Sequence, residues 1–153
     1  MTSIINVASY ILWRYGSMTT MKLQKLAYYS QAESLSTTGS PLFEEDFQAW
    51  RGGPVCYDLY VQHRRMFIIR PEDVDADKRL SSALSAGESA IVNRVGEALS
   101  KLTGNELSER THRENPWREA RSGLAPSESG TRVISKDDIE RYYRVNPVLP
   151  DRS

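Results

Sequence analysis

The sequence predicts a mainly α, compact single-domain helical bundle that leaves room for a short β-hairpin or two-stranded ribbon. Apolar residues recur at helical spacing in several separate stretches, which is typical of helices that bury one face. Serine, threonine, asparagine, glycine and proline stand at the ends of these stretches, where helix caps are expected. The chain has 153 residues, close to the commonest size of one domain.

Two helices are expected in the first 35 residues. Ser3 can cap the first helix, which Gly16 ends. Thr19 or Thr20 can cap the second, which runs over about 21–35. The apolar face of this second helix carries Leu23, Leu26 and Ala27. Of its two adjacent tyrosine rings, Tyr28 and Tyr29, we expect one in the core and the other at the rim.

The middle of the chain predicts a turn between a short strand and a helix. Residues 47–51 alternate weakly between apolar and polar, and 131–134 could pair with them as a second strand. Gly52-Gly53-Pro54 must be a tight connection, because glycine relieves backbone crowding and proline fixes one dihedral angle. Pro54 also suits the first turn of a helix over 55–66.

Two more helices are expected before residue 112. Residues 68–77 read as an exposed connection, since Pro71 opposes a helix there and the acidic residues favour solvent. An apolar stripe then predicts a helix over 87–103. Gly104 should end it, and Asn105 should cap a short helix that follows.

The C-terminal part predicts two further helices and a tail. Asn115 can cap a brief helix with Pro116 in its first turn, and a polar loop follows Arg121. Ser135 can cap the last helix. We expect one domain over 1–145 and a flexible C-terminal tail over 146–153, which contains two prolines.

Composition narrows the classes of function. Lys and Arg number 20 and Asp and Glu number 20, so the basic excess usual in nucleic-acid binders is missing and nucleic acid is an unlikely main partner. The single cysteine excludes an internal disulfide and suits a reducing compartment. No stretch has the length of a membrane span, and no basic residue precedes the apolar start. We expect a cytoplasmic protein without membrane partners.

Few residues have the pattern of a reactive or metal-binding site. His63, His112 and Cys56 are not in a zinc-like spacing, so we expect no metal. Gly52-Gly53 matches neither phosphate-binding glycine pattern, so no cofactor is expected. Cys56 with either histidine could be a nucleophile and its base, but a packed cysteine near a turn is the favoured interpretation. We expect no catalytic residue.

The segment 107–121 is dense in polar and aromatic residues. Thr111, His112 and Trp117 could form a polar pocket or a hot spot for a partner. Alternatively, Thr111 and His112 hydrogen-bond to helix ends while Trp117 fills the core beneath them. The second interpretation is favoured, and the first stays open.

Several short blocks occur together in one order. They are Lys22-Leu23-Gln24-Lys25-Leu26 with Tyr28-Tyr29, Pro41-Leu42-Phe43, Gln48-Ala49-Trp50 with Gly53-Pro54-Val55, Leu107-Ser108, Thr111-His112, Pro116-Trp117 with Ala120-Arg121, and Ile134-Ser135. In this order, over about residues 4–144, they resemble the Panacea domain, the family of SocA-like antitoxins and GepA-like phage-associated proteins. The family usually has an aromatic residue before Gly-Pro-Val, where this chain has Gly52.

The resemblance implies a non-enzymatic antitoxin of a toxin–antitoxin system, which neutralises a cognate protein toxin by direct binding. It also implies that the chain could be an adaptor that delivers the toxin to a Clp-type protease, and it leaves a homo-oligomer open. The matching positions become structural or partner-binding candidates: Lys22, Leu23, Lys25, Leu26, Tyr28, Tyr29, Trp50, Gly53, Pro54, Val55, Thr111, His112, Pro116 and Trp117.

Two other functions compete with the antitoxin. One is a small hydrolase or transferase centred on His112, with Thr111 and a carboxylate such as Glu33 or Glu114. The other is a phage or mobile-element accessory protein that binds a host factor. The first requires a pocket in which these side chains converge, and the second requires a partner other than a toxin.

Overall fold

The computed structural model describes residues 1–74 and 83–150. The helices in this part of the chain are α1 Ile4–Tyr15, α2 Thr20–Thr38, α3 Tyr57–His63, α4 Pro71–Val74, α5 Ala86–Leu99, α6 Gly104–His112, α7 Asn115–Ala120 and α8 Lys136–Val145. The strands are β1 Met18–Thr19, β2 Phe47–Trp50, β3 Gly53–Cys56, β4 Ile68–Ile69 and β5 Val133–Ile134. The mainly α class with minor β structure is therefore confirmed.

The long helix α2 is the centre of the molecule. It packs against α1, α5, α6 and α8 and against strand β3. Every residue over 23–35 is buried, because neighbours cover the helix on all sides rather than on one apolar face. Tyr28 and Tyr29 are both fully buried, so the prediction that one ring lies at the rim was wrong. Sequence periodicity could not reveal how many elements would surround this helix.

Two buried glutamines of α2 bind the backbone of other segments. Gln31 donates to the Phe43 carbonyl over 2.8 Å and accepts from the Leu42 amide over 2.7 Å. Gln24 donates to the Cys56 carbonyl over 3.1 Å and accepts from the Cys56 amide over 2.9 Å. A side-chain amide can satisfy a donor and an acceptor together, so polar residues fasten the loop after α2 and the edge strand β3 to the core helix.

The hairpin of β2 and β3 differs from the prediction. Trp50 pairs with Gly53 and Ala49 with Pro54, around a connection of two residues. Pro54 therefore lies in a strand and α3 begins only at Tyr57, so the prediction of a helix from 55 was wrong. Proline is tolerated here because β3 is an edge strand of the order β3-β2-β5. The predicted pairing of 47–51 with 131–134 is confirmed, with Phe47 opposite Ile134.

The predicted caps of three helices are confirmed. The side chains of Ser3, Thr19 and Ser135 accept amide hydrogen bonds at the starts of α1, α2 and α8, and Gly16 ends α1. Each capping side chain satisfies an amide that has no partner within its helix. These boundaries depend on local sequence alone, which is why the pattern predicts them correctly.

Two expected helix breakers begin helices instead. Pro71 is the first residue of α4, where a backbone amide would have no partner within the helix and its absence is harmless. The acidic residues 75 and 77 of the same predicted connection lie outside the described residues. Helix α5 ends at Leu99 and Thr103 caps α6 through a capping box with Glu106, so Gly104 opens α6. A Cβ on Gly104 would lie 2.9 Å from Thr19 Oγ1, so close packing against α2 explains the glycine.

The final helices differ from the prediction in detail. Glu114, not Asn115, is the N-cap residue of α7, and its side chain makes no capping bond. The segment expected to be a loose tail contains Val148, which is fully buried and whose carbonyl accepts from Arg110 over 2.7 Å. Within the described residues, no helix combines the length and apolar character needed to cross a membrane.

Candidate functional site

A small pocket of about 160 Å³ opens between the start of α2, the β2–β3 hairpin and α3. We call it the Lys25 pocket. Its principal lining residues are Met21, Gln24, Lys25, Trp50, Tyr60 and His63. The space corresponds to about five water molecules at their liquid volume. It is large enough for one short side chain of a partner.

Lys25 is the unusual group in this pocket. It is only 2% exposed, and its ammonium makes no hydrogen bond or ion pair with any described residue. Burial lowers the pKa of Lys25 from 10.5 to about 7, because the charged form loses its hydration without gaining a carboxylate. A buried and uncompensated cation is costly to a fold, so it points to a function beyond packing.

Gly53 makes room for the lysine. A Cβ on Gly53 would lie 2.6 Å from Lys25 Cε and 3.3 Å from Lys25 Nζ. The residue also has φ +125°, a conformation that side chains disfavour. The glycine of the Gly-Pro-Val block is therefore required both by the backbone of the hairpin and by the side chain beneath it.

Aromatic rings form the walls of the pocket. The ring of Tyr60 lies edge-on to Trp50 at 4.9 Å and to His63 at 5.4 Å. Gln24 Nε2 lies 3.0 Å from His63 Nε2, and since an amide nitrogen donates, the ring nitrogen accepts. Burial, and then the nearby charge of Lys25, lowers the pKa of His63. The histidine is therefore held neutral and adds no second positive charge to the pocket.

An exposed apolar surface adjoins the pocket. We define the apolar face by its members: Met21, Tyr57, Val61, Met66, Phe67 and Ile68. They are six of the ten exposed large apolar side chains among the described residues. The backbone brings Met21 beside Phe67 and Ile68, because the Thr20 amide donates to the Phe67 carbonyl over 3.0 Å and β1 pairs with β4. Tyr57 and Val61 lie one turn apart on the neighbouring helix α3. Clustered apolar exposure of this kind is typical of interaction sites.

The polar segment 107–121 supports the hairpin from below. Thr111 is buried and donates to the Ser108 carbonyl over 2.6 Å, while Ser108 donates to the Gly52 carbonyl. Trp117 is buried and donates to the Trp50 carbonyl over 2.7 Å. These contacts agree with the structural interpretation of Thr111 and Trp117.

His112 is stacked on Trp117, with ring centroids 4.0 Å apart and planes inclined by 9°. Burial lowers the pKa of His112, whereas a hydrogen bond to the backbone of Gly52 acts to raise it. Its Nε2 is buried and has no hydrogen-bond partner among the described residues. The ring is therefore packed against the support of the hairpin rather than facing the Lys25 pocket.

The remaining candidates fall into two groups. Leu23, Leu26, Tyr28, Tyr29, Pro54 and Pro116 are buried, and Val55 lines the Lys25 pocket beside Trp50. Lys22 lies half-buried outside the pocket and donates to the Ser100 carbonyl. Most of the family-motif residues thus build the core, and a smaller set shapes the pocket.

The carboxylates of the hydrolase hypothesis and the thiol of the nucleophile hypothesis have other surroundings than these reactions require. Glu33 pairs with Arg94 at 3.5 Å. Glu114 accepts from Tyr29 over 2.6 Å and from Tyr143 over 2.7 Å, and pairs with Arg110 at 3.2 Å. No such contact brings its carboxylate to His112. Burial raises the pKa of the Cys56 thiol to about 11, which opposes a role as a nucleophile. Within residues 1–74 and 83–150, no three potential ligands gather into a metal site.

Three parts of the site were not predicted from the sequence. Tyr60 and His63 lie in the stretch predicted as a helix over 55–66 and neither was expected to line a binding pocket, yet they form the pocket wall. The apolar face was not predicted, although the run Met66-Phe67-Ile68 in a chain segment beyond a helix end was a visible signal. Arg121 was also overlooked as a support: it is buried and donates to the Ala49 carbonyl of β2 over 3.0 Å.

Comparison with known proteins identifies the family. The family model described as Antitoxin SocA-like, Panacea domain, matches residues 23–118. This range begins in α2, ends in α7 and includes every principal lining residue of the Lys25 pocket except Met21. No curated protein and no solved structure gives a significant match. The matched range covers more than half of the chain, and the protein belongs to the family of SocA-like antitoxins with a Panacea domain.

Proposed function

We propose that this protein is the antitoxin of a toxin–antitoxin system and neutralises a cognate protein toxin in the cytoplasm by binding it directly. Family membership supports an antitoxin-like role. The observation that carries the binding mode is the apolar face beside the Lys25 pocket, because exposed aromatic and aliphatic side chains gain free energy when a partner covers them. The protein contributes a surface to the toxin and no reaction of its own.

Charge around the apolar face favours an acidic partner. Arg64 and Arg65 are exposed at the end of α3, and neither forms an ion pair with a described residue. Arginine is common at the centres of protein interfaces, where its planar group stacks on rings and binds carboxylates. Arg64 lies over the Tyr60 ring at 5.5 Å, so it is held beside the pocket.

The first test is co-expression with the neighbouring open reading frame. We expect the product of that gene to arrest growth when expressed alone and growth to recover when this protein is expressed with it. A neighbouring product that is harmless alone would remove the main support for an antitoxin and would favour binding to a host factor.

A pair of matched variants tests the binding surface. Phe67 is 76% exposed on the apolar face, and Val145 is 78% exposed on α8. Phe67→Asp should abolish both growth rescue and co-purification of the toxin, because it places a charge where apolar contact is required. Val145→Asp makes the same kind of change away from the face and should leave both intact. Equal behaviour of the two variants would contradict the proposed surface.

The fate of the bound toxin requires a separate measurement. Delivery to a Clp-type protease predicts that the toxin's half-life shortens when this protein is present and is restored when the protease gene is deleted. Simple sequestration predicts a toxin half-life that does not depend on the protease. Pulse-chase labelling of the toxin in the two strains distinguishes these mechanisms.

A further inference from the structure

The Lys25 side chain lines the pocket, and its ammonium has no counter-charge among the described residues. Its side chain is 2% exposed. The other polar groups of its pocket are neutral. The side-chain amide of Gln24 donates to the Cys56 carbonyl, and His63 Nε2 accepts from the same Gln24 nitrogen. A lysine in this setting is a preformed half of an ion pair, because its charged form becomes favourable only when a carboxylate enters.

The surroundings of the pocket indicate where that carboxylate comes from. A free small anion would leave the adjoining apolar face uncovered, whereas a protein partner would cover it while inserting one side chain. The pocket volume of about 160 Å³ suits one acidic side chain and is too small for a helix or a nucleotide base stack. The exposed Arg64 and Arg65 beside it also favour an acidic segment of the partner.

We propose that Lys25 is the receptor for one aspartate or glutamate of the toxin, which enters the Lys25 pocket and pairs with the ammonium while neighbouring apolar residues of the toxin cover the apolar face. This inference rests on the proposed antitoxin function and assigns a specificity-determining residue to it. Trp50 and Tyr60 form the walls that exclude water from the ion pair, and Gly53 leaves the space that Lys25 occupies. Exclusion of water strengthens the pairing, since Coulomb attraction grows as the local dielectric constant falls.

The arrangement also explains selectivity. A toxin without the acidic residue would bury the Lys25 ammonium unpaired, and that penalty would oppose binding. A toxin with it gains a charge-assisted hydrogen bond in a protected site. One pocket residue can therefore distinguish partners that present similar apolar surfaces.

The test compares two lysines of the same helix. Lys25→Met removes the ammonium from the pocket and keeps the length of the side chain. Lys22→Met makes the same change three positions earlier, outside the pocket. Affinity for the purified toxin, measured by calorimetry, should fall at least about tenfold for Lys25→Met, the equivalent of one lost favourable contact. For Lys22→Met it should change by less than about threefold.

The toxin side completes a double-mutant cycle. Each acidic residue of the toxin is changed to its amide, and one such variant should reproduce the loss caused by Lys25→Met. Combining that variant with Lys25→Met should cost little more than either change alone, because both remove the same pair. Isotope-labelled lysine should also show the Lys25 signal titrating at higher pH in the complex than in the free protein.

The outcomes separate this inference from the proposed function. If Phe67→Asp abolishes neutralisation while Lys25→Met binds the toxin as the unmodified protein does, the antitoxin function stands and the assignment of Lys25 is overturned. If no acidic variant of the toxin couples to Lys25, the assignment is likewise overturned. If the unmodified protein neither binds nor neutralises the toxin, the proposed function itself fails.

Discussion

Replacing Lys25 by methionine should make the free protein more stable, even though we expect it to weaken toxin binding. Methionine has a similar length and no charge, so it can occupy the same space between Gly53 and the pocket wall. Most core substitutions destabilise a protein. If this core substitution stabilises the protein, Lys25 itself must lower the free energy of unfolding of the unmodified protein.

The size of the effect follows from the pKa of Lys25. Burial lowers this pKa from 10.5 to about 7, and each pH unit of such a change corresponds to about 1.4 kcal/mol. The full cost of holding the charged lysine in the fold is therefore about 5 kcal/mol at low pH. We expect Lys25→Met to recover up to about 4 kcal/mol of it at pH 7, since lysine and methionine lose similar side-chain entropy on burial.

The dependence on pH has a defined sign. Between pH 7 and pH 10.5 the unfolded chain holds a proton on Lys25 that the folded chain has released. The unfolded state then binds more protons, so stability rises with pH through this window. The advantage of Lys25→Met should therefore shrink by about 2 kcal/mol between pH 7 and pH 9. Cys56, whose pKa burial raises to about 11, acts in the opposite direction in both proteins and cancels in the difference.

Urea unfolding followed by tryptophan fluorescence at pH 7, 8 and 9 provides the measurement. Lys22→Met is the control for the loss of one positive charge from α2, and it should keep the pH dependence of the unmodified protein. The reasoning would be refuted if Lys25→Met were destabilising at pH 7, or if its difference from the unmodified protein stayed constant across the three pH values.

Three further substitutions test the supports of the site, each by urea unfolding. Gln31→Leu should lower the free energy of unfolding by about 3 kcal/mol, because it leaves a buried amide and a buried carbonyl unpaired. The exposed Gln62→Leu is its control, and an equal loss in both variants would contradict the argument. Gly53→Ala should cost about 1–3 kcal/mol through its positive φ and its contact with the lysine, whereas Gly52→Ala has nothing within 4 Å and should be near neutral; the reverse order would be inconsistent with the hairpin geometry. Glu114→Gln should cost about 2 kcal/mol because two buried tyrosine hydroxyls donate to this carboxylate, and a loss below about 0.5 kcal/mol would exclude that role.

Helix boundaries set by local chemistry were predictable, and those set by packing were not. Ser3 and Ser135 cap helices as expected, because a cap is satisfied within a few residues of the chain. Gly104 was expected to stop a helix and instead begins one, since its role is to let α6 approach α2. Pro54 was assigned to a helix and lies in an edge strand, where only the sheet order shows that its missing amide is harmless.

The candidate site was predictable only in its parts. The motif that contains Lys25, Trp50 and Gly53 is visible in the sequence and identifies the family. The sequence did not indicate that these residues meet, because α2 and the hairpin are brought together by Gln24 and by the burial of β3. Tyr60 and His63 complete the pocket from a third element whose start was misplaced in the prediction.

By itself, the sequence determined the mainly α class, the caps of several helices and the family to which the chain belongs. Only the tertiary structure decided which polar side chains became buried and which apolar side chains stayed exposed. The reason is physical: helical spacing records a residue's position on its own helix, whereas burial depends on every element that packs around it. Lys25 is the sharpest case, since its position beside Leu26 reads as an ordinary helix surface until the hairpin and α3 enclose it.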